Sequence, residues 1–235
     1  MSLTAQQVLQ KVYGYDQFRN QQAEIINDVI SGQDCFVLMP TGGGKSLCYQ
    51  IPALIRPGTA IVVSPLIALM QDQVSALQTY GVSAAYYNSS LDAQSAEQVL
   101  SQLHSGQLDL LYVSPERLLN QQFIQRLQSM PIALFAIDEA HCISQWGHDF
   151  RPEYSQMGSL REKFDQVPFI ALTATADRAT RQDIIDKLQF HEPKVHVSSF
   201  DRPNIRYHIQ ESHNGKDALL RFINQNHPAD FSGKV

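Results

Sequence analysis

Apolar runs of strand length recur along the chain, at 36–39, 60–63, 82–87, 108–113, 132–137, 169–172 and 195–197. Between them, over 23–30, 46–55, 66–80, 93–104, 115–128 and 178–188, apolar residues fall at helical spacing. Strands that are apolar throughout are buried on both faces. Their alternation with helices predicts an α/β fold, a mainly parallel sheet with helices on both sides. Ligands on such sheets sit beyond the carboxyl ends of the strands. Past Asp201 the pattern weakens. Residues 201–204 read as a loop, 216–226 as one more helix, and 227–235 as a tail that looks cut before a further strand.

Two polar segments follow strand-like runs, and both carry chemistry. The first is Met39-Pro-Thr41-Gly42-Gly43-Gly44-Lys45-Ser46. Consecutive glycines let the backbone approach phosphate oxygens with no Cβ in the way. Their N–H groups, with the start of the helix that follows, form a concave anion site. Lys45 supplies a point charge for β- and γ-phosphates, and the Ser46 hydroxyl can ligate Mg²⁺. The usual motif opens with Gly, and this chain has Met39 there. The second segment is Asp138-Glu139-Ala140-His141. An Asp-Glu pair after a strand is often only a solvated strand end. Beside a phosphate loop it becomes the expected partner, with Asp138 for the metal and Glu139 to polarise a water.

Composition narrows the class. The chain has 235 residues, 43% hydrophobic and 17% charged, which suits one globular α/β domain or one plus a fragment of another. No apolar run reaches membrane-spanning length, and the first residues lack the basic and apolar regions of a signal peptide. Cys35, Cys48 and Cys142 are widely spaced and read as reduced packing residues of a cytoplasmic protein. The eight histidines show no zinc-ligand spacing. A net charge of −5 and a pI near 5.9 argue against a dominant nucleic-acid footprint but leave room for a local basic groove.

The order of the segments carries a resemblance. Tyr13-Gly-Tyr15-Asp-Gln-Phe18-Arg19-Asn-Gln-Gln22, the Lys45 loop, Val63-Ser64-Pro65-Leu66, Leu111-Tyr-Val-Ser114-Pro115-Glu116-Arg117, the acidic box and Ala171-Leu-Thr173-Ala-Thr175-Ala176 follow one another as in superfamily 2 helicases. Cys142-Ile-Ser-Gln145-Trp146-Gly-His148-Asp-Phe150-Arg151-Pro-Glu-Tyr154 resembles the aromatic-rich loop of RecQ helicases, and Ser199 to Tyr207 the segment leading out of their first motor domain. The chain is similar to that family from Val12 to Tyr207. In helicases Met39 is an ordinary variation of the loop.

The resemblance implies a RecA-like P-loop NTPase domain over 1–207, with 208–235 as a linker toward a second motor domain. It implies ATP and Mg²⁺ as cofactors and an ATP hydrolase or DNA helicase as the enzyme. Lys45, Asp138, Glu139 and His141 would be catalytic, and Ser46 and Asp138 would hold the metal. Tyr15, Arg19 and Gln22 would read adenine, while Thr41, Gly42, Gly43, Gly44, Lys45 and Ser46 would take the phosphates. Gln145, Trp146, His148, Phe150 and Arg151 would sense single-stranded or partially duplex DNA, since bases stack on aromatic faces for ~1–3 kcal/mol each. The bland alternative makes Trp146 and Phe150 core residues, as aromatics usually are. A monomer moving 3′ to 5′ on DNA in the bacterial cytosol is implied, with no membrane partner. No second motor domain follows, so weak or absent turnover is expected of this chain alone. The alternative is a truncated nucleotide- and DNA-binding module with a regulatory role. A GTPase would offer Asn-Lys-x-Asp, which is absent.

Overall fold

The structure is a computed structural model and describes residues 3–147, 149–199 and 214–226. Contacts divide the chain into two units, Met1–Phe200 and Asp201–Val235. The exit segment at 200–207 and the tail at 227–235, both read from sequence, lie outside the described residues.

In the first unit the elements run α1 (Ala5–Tyr13), α2 (Gln22–Ile30), β1 (Cys35–Leu38), α3 (Leu47–Ala53), β2 (Thr59–Val63), α4 (Ile67–Thr79), β3 (Ala84–Tyr87) and α5 (Ala93–His104). They continue with β4 (Leu110–Val113), α6 (Pro115–Leu118), α7 (Gln121–Gln128), β5 (Ile132–Ile137), a 3-10 turn (Ala140–Ile143) and α8 (Pro152–Ser155). A second 3-10 segment (Met157–Lys163), β6 (Phe169–Thr173), α9 (Arg178–Lys187) and β7 (Lys194–Val197) complete it. In the second unit the described part is one helix, α10 (Gly215–Asn226).

The seven strands form one sheet in the order β3-β4-β2-β5-β6-β1-β7, and every pairing is parallel. Alternate residues of β1 to β6 serve opposite cores. Val37, Val62, Leu134 and Ile170 pack with Val8, Ile25, Tyr49 and Val74 from the first four helices. Phe36, Ile61, Phe135 and Phe169 pack with Leu103, Phe123, Tyr154 and Ile184 on the other face. The α/β expectation is met, and all seven strand-like runs are strands of this sheet.

Three local features depart from the pattern along the sequence. Helix α1 precedes the first predicted element. It is set by a capping box in which the Thr4 hydroxyl accepts from Gln7 N–H and the Gln7 side chain accepts from Thr4 N–H. The stretch at 115–128 is two helices, because the Asn120 side chain caps α7 by accepting from Gln122 and Phe123 N–H. Strand β7 lies at the sheet edge, with Val195 and Val197 exposed and only His196 buried. His196 Nε2 lies 3.0 Å from Asp28 Oδ2, which ties this edge to α2. Cys35 lies near both, and burial pushes its thiol up to about 12.

Asp34 fastens the lower end of the sheet. Its Oδ1 accepts from Phe169 N–H at 2.9 Å, its Oδ2 lies 3.0 Å from Arg161, and its carbonyl accepts from Lys194 N–H at 2.8 Å. Asp34→Ala should lower unfolding stability by about 3 kcal/mol, because it leaves the Phe169 N–H without its acceptor and the Arg161 guanidinium without its carboxylate. Asp34→Asn should cost less, since the amide oxygen can still accept from Phe169. Urea unfolding of the three proteins checks this ranking.

Candidate functional site

Strand β1 delivers the glycine-rich loop. Gly42 and Gly44 have φ of +79° and +81°, a region in which a Cβ is penalised. A Cβ on Gly43 would stand 2.9 Å from the Pro40 carbonyl oxygen, and one on Gly44 would collide with the Gln22 amide. Lys45 Nζ donates to the carbonyls of Met39 and Pro40, at 3.2 and 3.5 Å, so its ammonium lies back over the loop. Thr41 is exposed, and Ser46 is half-buried just ahead of α3.

The segment before α2 is laced to this loop. Gln22 is buried. Its Oε1 accepts from Arg19 N–H at 2.8 Å, and its Nε2 donates to the Gly44 carbonyl at 3.1 Å. Both ends of the amide expected to read adenine are thus bonded to backbone. Tyr15 and Arg19 are exposed. With Gln22, Gly42, Gly44 and Ser46 they line a cavity of about 360 Å³ beside the loop. Tyr13 and Tyr80, whose rings lie 5.3 Å apart, form another part of its wall. The buried Tyr13 hydroxyl has no hydrogen-bond partner among the described residues.

Strand β5 delivers the acidic box. Asp138 N–H donates to the Val63 carbonyl at 2.9 Å, extending the ladder with β2, and Tyr154 Oη donates to the Asp138 carbonyl at 3.2 Å. Burial, and then the neighbouring Glu139 charge, push the Asp138 carboxyl up to about 6. The Glu139 N–H, Lys45 and His141 pull the other way and do not offset this. Glu139 has φ +49° and ψ +45°, a left-handed conformation that a residue with a Cβ adopts at a cost of about 1–2 kcal/mol. His141 is buried, with Nδ1 3.2 Å from Glu139 Oε2 and 3.0 Å from Thr173 Oγ1.

Thr173 joins the two segments. Strand β6 lies between β1 and β5. At its end the Thr173 carbonyl accepts from Met39 N–H at 3.1 Å, while its hydroxyl meets His141. Thr173 was legible only as part of a motif similar to the helicase coupling segment. No local pattern marks it as a site residue.

The aromatic-rich loop follows the box directly. Trp146 is 79% exposed, so it is not a core residue; Phe150 is half-buried and Gln145 exposed. One guanidinium nitrogen of Arg151 donates to the Pro65 carbonyl at 2.9 Å, and the other lies 3.2 Å from Asp149. His148 lies outside the described residues.

The profile of DEAD/DEAH box helicases matches residues 19–184, and the chain belongs to that family. Over 220 residues it is 52% identical to the ATP-dependent DNA helicase RecQ of Haemophilus influenzae, covering 94% of this chain and 36% of that protein. It is 44% identical to the probable ATP-dependent DNA helicase RecS of Bacillus subtilis, over 93% of this chain and 44% of that one. The chain therefore spans about a third to under half the length of these relatives. Among solved structures, DUF1998 helicase MrfA superposes with a TM-score of 0.63 at 17% identity, over 85% of this chain and 33% of that one. A hypothetical ATP-dependent RNA helicase from Sulfolobus tokodaii superposes at 0.59 with 20% identity, over 81% and 56%. At these identities the superpositions speak for the fold, which is the RecA-like fold of helicase domains. No described helix is long and apolar enough to cross a membrane.

The Asp138 shift has a measurable consequence. Its folded value, about 6, lies above the ordinary 3.8, so folding favours the protonated form. The associated stability is complete below about pH 4 and is lost as pH rises through about 6. In EDTA without nucleotide, the native protein should therefore lose about 2 kcal/mol relative to Asp138→Asn between pH 4 and pH 7. Urea unfolding across that range reads the difference; parallel curves for the two proteins would show that the carboxyl is not strained.

Proposed function

We propose that this chain is the ATP-binding motor domain of a RecQ-type DNA helicase. Residues 1–207 form the motor, and 208–235 lead toward a second motor domain. The observation that carries the reading is the meeting of three strand ends. Thr173 holds the glycine-rich loop through Met39 and the acidic box through His141. A change at the phosphates can therefore reach the box, and the loop beyond it, through two hydrogen bonds.

In this reading Tyr15 and Arg19 border the base, and the N–H groups of 41–46 cradle the phosphates. Lys45 gives up its carbonyl partners to hold β- and γ-phosphate oxygens. The Ser46 hydroxyl and the Asp138 carboxylate form an oxygen-only donor set that suits a hard divalent cation. The raised Asp138 value fits a carboxylate placed where a cation would offset its burial. Held there by Ser46 and Asp138, Mg²⁺ would supply charge neutralisation for the transferred phosphoryl group. Glu139, held by its left-handed backbone and by His141, orients the attacking water. Single-stranded DNA stacks on Trp146 beside Phe150. A second motor domain would supply an arginine for the transition state, a contribution of ~10³–10⁵ in phosphoryl transfer. The chain alone is then a slow hydrolase that does not unwind DNA. The full protein would act as a monomer in the bacterial cytosol, moving 3′ to 5′.

Lys45→Ala should weaken binding of a fluorescent ATP analogue by roughly tenfold or more, because a charge-assisted contact to the phosphates is lost. Unchanged affinity would remove the phosphate-loop assignment. In a protein joining this chain to a second motor domain, Glu139→Gln should keep Mg-nucleotide binding and lose turnover, read as steady-state phosphate release. Near-native turnover would mean that another residue positions the water.

A further inference from the structure

One turn of α9 grips both ends of the aromatic-rich loop. At the first end, Ser144 Oγ donates to Asp183 Oδ2 at 2.6 Å, and the same hydroxyl oxygen accepts from Trp146 N–H at 3.2 Å. Ser144 is fully buried, and its carbonyl accepts from Gly147 N–H at 3.0 Å. A Cβ on Gly147 would run into the His141 carbonyl, so the loop passes close over the box. At the other end, the Lys187 ammonium lies 5.6 Å from the centre of the Phe150 ring. It also donates to the Ile143 carbonyl at 3.2 Å and pairs with Asp183 at 3.1 Å. Trp146 thus carries an exposed ring on a backbone fixed by a charge-assisted chain.

The same helix is tied to the box by a second route. Its N-cap, Asp177, accepts from Thr180 N–H at 2.7 Å and stands four residues after Thr173, whose hydroxyl meets His141. A movement of the loop that shifts α9 therefore bears on the box through Thr173.

We infer that Asp183, backed by Lys187, is a positioning residue that braces the aromatic-rich loop through Ser144 and links strand binding at Trp146 to the acidic box through α9. The helical i,i+4 pair alone would be an ordinary solvated pair of small value. What raises it is the short bond to a fully buried hydroxyl that also orders the tryptophan backbone. The inference rests on the proposed role of the loop in sensing DNA.

Trp146 is the only tryptophan of this chain, so its fluorescence reports the loop directly. In the 235-residue chain, Asp183→Asn and Ser144→Ala should each lower Trp146 anisotropy while the far-ultraviolet circular dichroism stays native. The response of Trp146 to a titration with oligodeoxythymidylate should shift to higher concentration. In a protein joining this chain to a second motor domain, both variants should raise the DNA concentration for half-maximal ATPase by roughly fivefold. Their ATPase without DNA should stay at the native level. Combined with Trp146→Ala, neither should add further loss. Native anisotropy and native DNA dependence in both variants, with stimulation lost in Trp146→Ala, would overturn the brace and leave the loop's role standing. Full stimulation in Trp146→Ala would instead remove the loop's role and the inference with it.

Discussion

Asp138 is a carboxyl at the end of a central strand, in a place where ionising it is unfavourable. Its surroundings follow from that. The backbone around it is held by the Val63 ladder bond and by Tyr154. The next residue is a second acid in a left-handed conformation that ordinarily favours glycine. Strain and like charge side by side oppose stability, and neither is explained by packing. In the proposed function they would serve a task in which one carboxylate is held near a cation and the other is aimed elsewhere. Lys45 and His141 are the side chains that oppose the raised Asp138 value, and they do not offset the burial.

The order of the sheet decides how this acidic end reaches the phosphate loop. Were β5 and β1 neighbours, loop and box would touch directly. With β6 between them, the end of β6 becomes the bridge, and a residue with both a carbonyl and a hydroxyl to offer suits it. Thr173 uses each group on a different partner. It also accepts from Thr175 N–H at 3.2 Å, which turns the chain toward α9. One threonine thus sets the loop, the box and the start of the helix that braces the aromatic segment.

The strands were legible because a parallel sheet buried on both faces leaves unbroken apolar runs, as at 60–63 and 132–137. Edges and caps were less so. Strand β7 carries alternate exposed valines because it has a neighbour on one side only. The break before α7 depends on a single Asn120 side chain. The site divides the same way. Residues that act as a contiguous segment, 41–46 and 138–141, were readable as motifs. Bonds across long sequence separations were not. The Gln22 contact with Gly44, the Thr173 contact with His141 and the Ser144 contact with Asp183 are made by common polar residues. Topology, not local pattern, brings them together.

Gln22 shows what that gap means for function. From sequence its amide looks like a reader of adenine, since it can donate and accept at once. In the fold it does both, but toward Arg19 and Gly44. A buried amide needs partners, and an unpaired one costs about 1–3 kcal/mol. Reading a base would therefore be an exchange of bonds rather than a gain, and the net affinity from Gln22 would be small. Its position as a strut has a different consequence. Gly44 has no Cβ, which is what lets the amide come so near. In the proposed function, a nucleotide that drew the Gly44 backbone toward phosphate would pull on Gln22, and through Arg19 on the exposed segment that carries Tyr15. Occupation of the phosphate loop would thereby bear on the arrangement of the base-facing segment through Gln22.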